Sequence, residues 1–230
     1  MVKPTARQLA GMIDHTLLKP DTTPAQINQL CLEARENCFA AVCVNPFYIA
    51  QVHTLLQSSG VKTCSVIGFP LGASRSPDKT AEAYSVLAAG AEEVDMVINI
   101  GALKDGDDDF VLHDISGAAG ACHAHGAILK VILETGLLTQ EEKARACRLC
   151  VEAKADFVKT STGFGFGGAT VEDIRLMSAA VKEAGLGVKA SGGVRTYADA
   201  CAMIDVGATR IGTSAGLSII KEALAGASAV

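Results

Sequence analysis

Strand-length apolar runs alternate with segments of helical period along the whole of this 230-residue chain, with only short turns between them. Eight such runs are strand candidates: 12–16, 39–45, 62–68, 93–99, 128–134, 156–160, 187–191 and 209–213. Helices fill the intervals, and several open on a recognisable signal: Thr23 before Pro24, Asn45 before Pro46, Thr139 followed by Glu142, Thr170 followed by Asp173. The endings AAGAEEVDM, AHGAILKV, EAKADFVK and DVGATRIG repeat one helix-to-strand joint, in which Gly or Lys precedes Ala. Eight βα units in this length predict a closed (β/α)8 TIM barrel made by a single domain, residues 1–230. An open doubly wound sheet would more often use about five or six strands.

The barrel fixes where chemistry can sit, because reactive residues in that fold come from the C-terminal strand ends and the loops that follow. Two runs end in lysine followed by small hydroxyl and glycine residues, FVKTSTG with Lys159 and GVKASGG with Lys189. A lysine at the exit of a buried strand is costly unless its amine is used. A reactive lysine needs a reference pKa of about 10.4 lowered by roughly three units. A second ammonium at about 5 Å, with an effective dielectric of about 20, opposes the charge by roughly 3 kcal/mol, so pairing the two lysines has a purpose. Each also has a structural reading, in which Asp95, Glu134 or Asp14 neutralises it within a barrel-lining ion network. The paired contexts favour chemistry. Lys130, in KVILETG, lacks the glycine-rich follower, and its closeness to Glu134 predicts a structural ion pair.

Gly192 and Gly193 follow the seventh run, and Gly212, Thr213 and Ser214 follow the eighth. Backbone amides freed by glycine, together with a helix N-terminus, favour an anion, and barrels often bind phosphate after these two strands. For either cluster alone a plain tight turn is an equal reading. The run GFGFGG departs from dinucleotide-loop spacing and follows the sixth strand, so it reads as a loop over the site, in which Phe164 and Phe166 either cover substrate or pack beneath.

Other classes lose ground on composition. The net charge of −5 and the scattered basic residues disfavour nucleic acid and anionic membranes. No stretch approaches the roughly 18 apolar residues of a membrane span, and the N-terminal segment lacks a secretory pattern, so a cytoplasmic protein is expected. The eight cysteines fall mostly within apolar helix or strand patterns and read as core residues, Cys147 and Cys150 of CRLC included. Asp105 to Asp109 reads as a solvated turn before a helix. His123 and His125 point to different helix faces, and no convincing cluster of His and carboxylate predicts a metal. No cofactor is expected.

The segments MIDHTLL, AAVCVNP, EEVDMVINIG, KVILETG, DFVKTSTGFG, VKASGGVRT and RIGTS, spread over nearly the whole chain, make it closely resemble the deoxyribose-phosphate aldolase family of class I aldolases. The resemblance implies cleavage of 2-deoxy-D-ribose 5-phosphate to glyceraldehyde 3-phosphate and acetaldehyde, with Lys159 forming the Schiff base. It implies proton transfer by Asp95 and Lys189, and a phosphate site that includes Gly192, Gly193, Gly212 and Ser214. Thr160 and Thr162 are placed to orient hydroxyls or water, and Asp14 is a further active-site candidate. Some members carry a lysine where this chain has Phe164, and some a tyrosine-ended tail where it reads GASAV, so neither contribution is expected here. The partners implied are a small sugar phosphate and an aldehyde, with a homo-oligomer, dimer or tetramer, as the assembly. The alternatives are a Schiff-base aldolase for another sugar phosphate and a catalytically silent phosphosugar-binding barrel.

Overall fold

A computed structural model describes residues 4–165 and 167–227. Phe166 and the last three residues of the GASAV tail lie outside the described residues. Eight parallel strands close in sequence order into a barrel. They are β1 (Ile13–Leu17), β2 (Ala41–Val44), β3 (Lys62–Ile67), β4 (Glu93–Val97), β5 (Ile128–Ile132), β6 (Phe157–Lys159), β7 (Gly187–Ser191) and β8 (Arg210–Thr213). All eight expected strands are present.

The helices are α1 (Ala6–Ala10), α2 (Pro24–Asn37), α3 (Ile49–Leu56), α4 (Ser76–Ala88), α5 (Ile100–Asp105), α6 (Asp108–Ala124), α7 (Gln140–Glu152), α8 (Val171–Val181), α9 (Tyr197–Asp205) and α10 (Gly216–Ala227). Local chemistry starts several of them. Thr23 and Thr139 form reciprocal capping boxes with Gln26 and Glu142, and Thr170 accepts from the Asp173 amide. Asp107 caps α6, so the acidic run is the helix-opening turn that its composition predicts. Asn45 differs: it precedes a 3-10 turn, Pro46–Tyr48, makes no side-chain cap, and α3 follows that turn.

Strand side chains alternate between two environments. Val42, Val44, Val94, Met96, Leu129, Val131, Val158, Val188 and Ile211 face outward into the main core, where the helices cover them. The inner face is divided. Ala41, Cys43, Cys64 and Val66 of β2 and β3 form a small apolar cluster with Leu18 and Phe69. The other strands send charges inward. Seven of the eight cysteines are buried and all are free, Cys147 and Cys150 among them, as the core reading expects. No helix among the described residues is long and apolar enough to cross a membrane.

Candidate active site

Asp95, at the centre of β4, is fully buried and makes four side-chain contacts. Its Oδ2 accepts from Lys159 Nζ and from Lys189 Nζ, each at 2.7 Å. Its Oδ1 accepts from Lys130 Nζ at 2.8 Å and from the Cys64 thiol at 3.4 Å. Register brings these groups together: Lys130 stands opposite Asp95, and Lys159 opposite Lys189. The two lysine amines are therefore no more than twice 2.7 Å apart, with a carboxylate oxygen between them.

The contacts continue into a closed ring. From Asp95 it passes to Lys130, to Glu93 at 2.7 Å, to Arg210 at 3.1 Å, to Asp14 at 2.6 Å, to Lys189, and back to Asp95. Three carboxylates alternate with three cations, so the ring is neutral, and Lys159 is attached to it as a seventh group. Burial opposes ionisation of the Asp95 carboxyl, yet Lys130, Lys159 and Lys189 hold it well below the carboxylate range. Asp14 is likewise lowered against its burial, by Lys189, Lys130 and Arg210. Burial alone would lower the Lys189 and Lys130 amines, but their carboxylate partners raise both above the ordinary lysine value. At rest Asp95, Lys189 and Lys130 thus favour their charged forms.

The pairing of Lys130 with Glu134 is a correction. Glu134 lies beyond β5 in a left-handed conformation, φ 55°, which turns it out of the strand alternation that would have placed it beside Lys130. Its Oε2 accepts from Thr162 Oγ1 at 2.5 Å and from the Thr162 amide at 3.3 Å. Lys130 binds Asp95 and Glu93 instead.

The sequence-predicted phosphate residues divide into groups. Gly192 and Gly193 both adopt φ +83° after β7. The carbonyl of Gly192 accepts from the Ala169 amide, and a Cβ on Gly168 would come within 2.3 Å of that carbonyl oxygen, so the loops after β6 and β7 meet through glycine. Gly212 faces Lys189: a Cβ there would stand 2.9 Å from Lys189 Cε. Thr213 Oγ1 donates to the Val194 carbonyl and accepts from the Ala215 amide, tying the β7 and β8 exits together. Ser214 is exposed and lies in a groove with His15, Glu33 and Lys221. Thr160 exchanges hydrogen bonds with the Ser191 backbone, and Thr162 Oγ1 accepts from the Phe164 amide. Phe164 is half exposed, with its ring edge-on to Phe69 at 5.4 Å.

The sequence profile of the DeoC/LacD family aldolases matches residues 9–222. The chain belongs to this aldolase family. It is 59% identical over 215 residues to deoxyribose-phosphate aldolase 1 of Bacillus licheniformis, covering 94% of this chain and 96% of that one. It is 56% identical to the deoxyribose-phosphate aldolase of a Thermoanaerobacter species, covering 93% and 96%. Among solved structures, the tetrameric deoxyribose phosphate aldolase of Aeropyrum pernix superposes with a TM-score of 0.89 at 36% identity, over 94% of this chain and 91% of that one.

For this DeoC/LacD family member, sequence reasoning missed Glu93, Arg210 and Cys64 as neighbours of the central carboxylate. Glu93 carried a usable signal, since it lies two residues before Asp95 and so shares its face. Among the described residues two sets of atoms have a spacing suited to a metal ion, Cys43 with Cys64 and Asp95, and Asp14 with Cys64 and Glu93. Their carboxylates already hold ammonium or guanidinium groups, which a cation would have to displace.

Proposed function

We propose that this protein is a deoxyribose-phosphate aldolase that reversibly cleaves 2-deoxy-D-ribose 5-phosphate to D-glyceraldehyde 3-phosphate and acetaldehyde. The observation that carries the mechanism is the charge count at Asp95. The ring is neutral without Lys159, and Lys159, 3% exposed, is the member left to react. Its Nζ attacks C1 of the open-chain aldehyde, and loss of water gives an iminium that draws electrons from the C2–C3 bond. The carboxylate of Asp95 stabilises that cation at close range. Removal of the 3-hydroxyl proton, relayed to Asp95 through water, breaks C2–C3 and releases glyceraldehyde 3-phosphate. The enamine left on Lys159 is protonated at C2 with Lys189 and Asp95 as the proton-handling pair, and hydrolysis frees acetaldehyde and the amine.

The phosphate is assigned to the backbone amides of Gly192, Gly193 and the Gly212 to Ser214 segment, at the β7 and β8 exits. Association with further copies of the chain, as a dimer or tetramer, is supported by the tetrameric relative from Aeropyrum pernix. The free cysteines support a reducing compartment, the cytoplasm. The decisive experiment is borohydride reduction in the presence of acetaldehyde followed by peptide mass spectrometry. An ethyl adduct on Lys159, together with cleavage of deoxyribose 5-phosphate, is expected. An unmodified Lys159 would overturn the Schiff-base assignment.

A further inference from the structure

Cys43 and Cys64 stand opposite each other in the register of β2 and β3, on the inner face of the barrel. Their sulfurs and a carboxylate oxygen of Asp95 lie within 4.8 Å of one another. Neighbouring strands run about 4.8 Å apart, inside the Cα separation of about 4.4–6.8 Å that a disulfide spans without backbone movement. We propose that Cys43 and Cys64 are a modification site for hydrogen peroxide, which joins them as a disulfide across β2 and β3 and disables the adjoining Asp95.

The two thiols differ in environment. The Cys64 hydrogen bond and the Lys189 and Lys159 amines lower Cys43, against its burial. Burial, the Cys43 contact and the Asp95 charge push Cys64 well up. Of the two, Cys43 is thus the more readily ionised and takes the attacking role, with Cys64 as the resolving thiol. In the first step Cys43 Sγ attacks one peroxide oxygen, the O–O bond breaks, and the products are a sulfenic acid and one water once the thiol proton is counted. In the second step Cys64 Sγ attacks the Cys43 sulfur, and the sulfenic oxygen leaves with the Cys64 proton as a second water. Two thiols are oxidised by two electrons and one peroxide is reduced. Asp95 Oδ1, which accepts from the Cys64 thiol, is the nearby carrier of the proton lost in that step.

The consequence for catalysis follows from the same contacts. Drawing the Cys64 sulfur towards Cys43 removes a donor from Asp95 Oδ1 and a neighbour 3.4 Å from Lys130 Nζ. The pair is fully buried, and so the oxidant must be small and neutral; a glutathione disulfide is excluded by size.

The test treats the intact protein with hydrogen peroxide and reads it two ways. Peptide mass spectrometry without reductant should find the Cys43 and Cys64 peptides linked, two hydrogens lighter than the sum of the free peptides, a result independent of any aldolase activity. Cleavage activity should fall with the linkage and return once the protein is unfolded in dithiothreitol and refolded, while oxidised glutathione should produce neither effect on the folded protein. In Cys64→Ala and Cys64→Ser, Cys43 has no resolving thiol, and peroxide should carry it to the sulfinic acid that dithiothreitol does not reverse. Absence of the linked peptide from peroxide-treated protein would overturn the proposal. So would recovery of either Cys64 variant to the same fraction as the parent.

Discussion

Lys189 touches two buried carboxylates, Asp14 and Asp95, and each of them also touches another cation. Replacing it with leucine leaves both fully buried acids short of a partner. Removing one member of a buried pair typically costs about 3–5 kcal/mol, so Lys189→Leu should lower the unfolding free energy from denaturant titration by that amount and abolish measurable cleavage. Acid should act on the same groups. Unfolded aspartates titrate near about pH 3.9, whereas Asp14 and Asp95 are held lower when folded. Their contribution to stability is therefore present above about pH 4 and lost as pH falls below it. Urea midpoints measured from neutral to acidic pH should show that decline, and Asp14→Asn should show a shallower one from a lower start. At this scale Asp95, Lys159 and Lys189 were legible because each ends or centres an apolar run. The ring was not, since it joins positions as far apart as Asp14 and Arg210, 196 residues, through registers that no local pattern encodes.

Between elements, Lys79 of α4 shows a different balance. Fully buried, it donates to Asp114 of α6 at 2.6 Å and to the Val97 carbonyl of β4 at 3.0 Å. Burial pushes the Lys79 amine down in spite of Asp114, and pushes the Asp114 carboxyl up in spite of Lys79. Both directions mean that desolvation outweighs the pairing. Lys79→Met alone should destabilise by about 3–5 kcal/mol because it strands Asp114, and the double variant Lys79→Met/Asp114→Leu should recover most of that in equilibrium unfolding. Helix starts have smaller and more predictable effects: Thr139→Ala breaks the capping box of α7 and should cost about 1 kcal/mol in the same assay. Elements were the most legible level of this chain, since strand alternation and caps are local. The exceptions are local. Asn45 makes no side-chain cap and opens the 3-10 turn Pro46–Tyr48 before α3, and β6 is only three residues long although the Thr160 amide still donates to the Lys189 carbonyl beyond its end.

At the scale of the whole molecule, the interior of the barrel has an apolar wall at β2 and β3 and charges on the remaining strands. The origin of those charges along the chain has a consequence for how the protein is put together. Asp14, Glu93 and Asp95 come from the first four strands, and Lys130, Lys159, Lys189 and Arg210 come from the last four. A chain severed at the turn around Gly126, between α6 and β5, would therefore yield one fragment with an acidic inner face and one with a basic inner face. Neither can neutralise its own interior, and each carries what the other lacks. Two such fragments made together should dock and regain cleavage activity, with assembly slowed by salt, whereas each alone should remain unfolded by circular dichroism. The centre of this enzyme is, in that sense, an interface between two half-barrels that happen to share one chain.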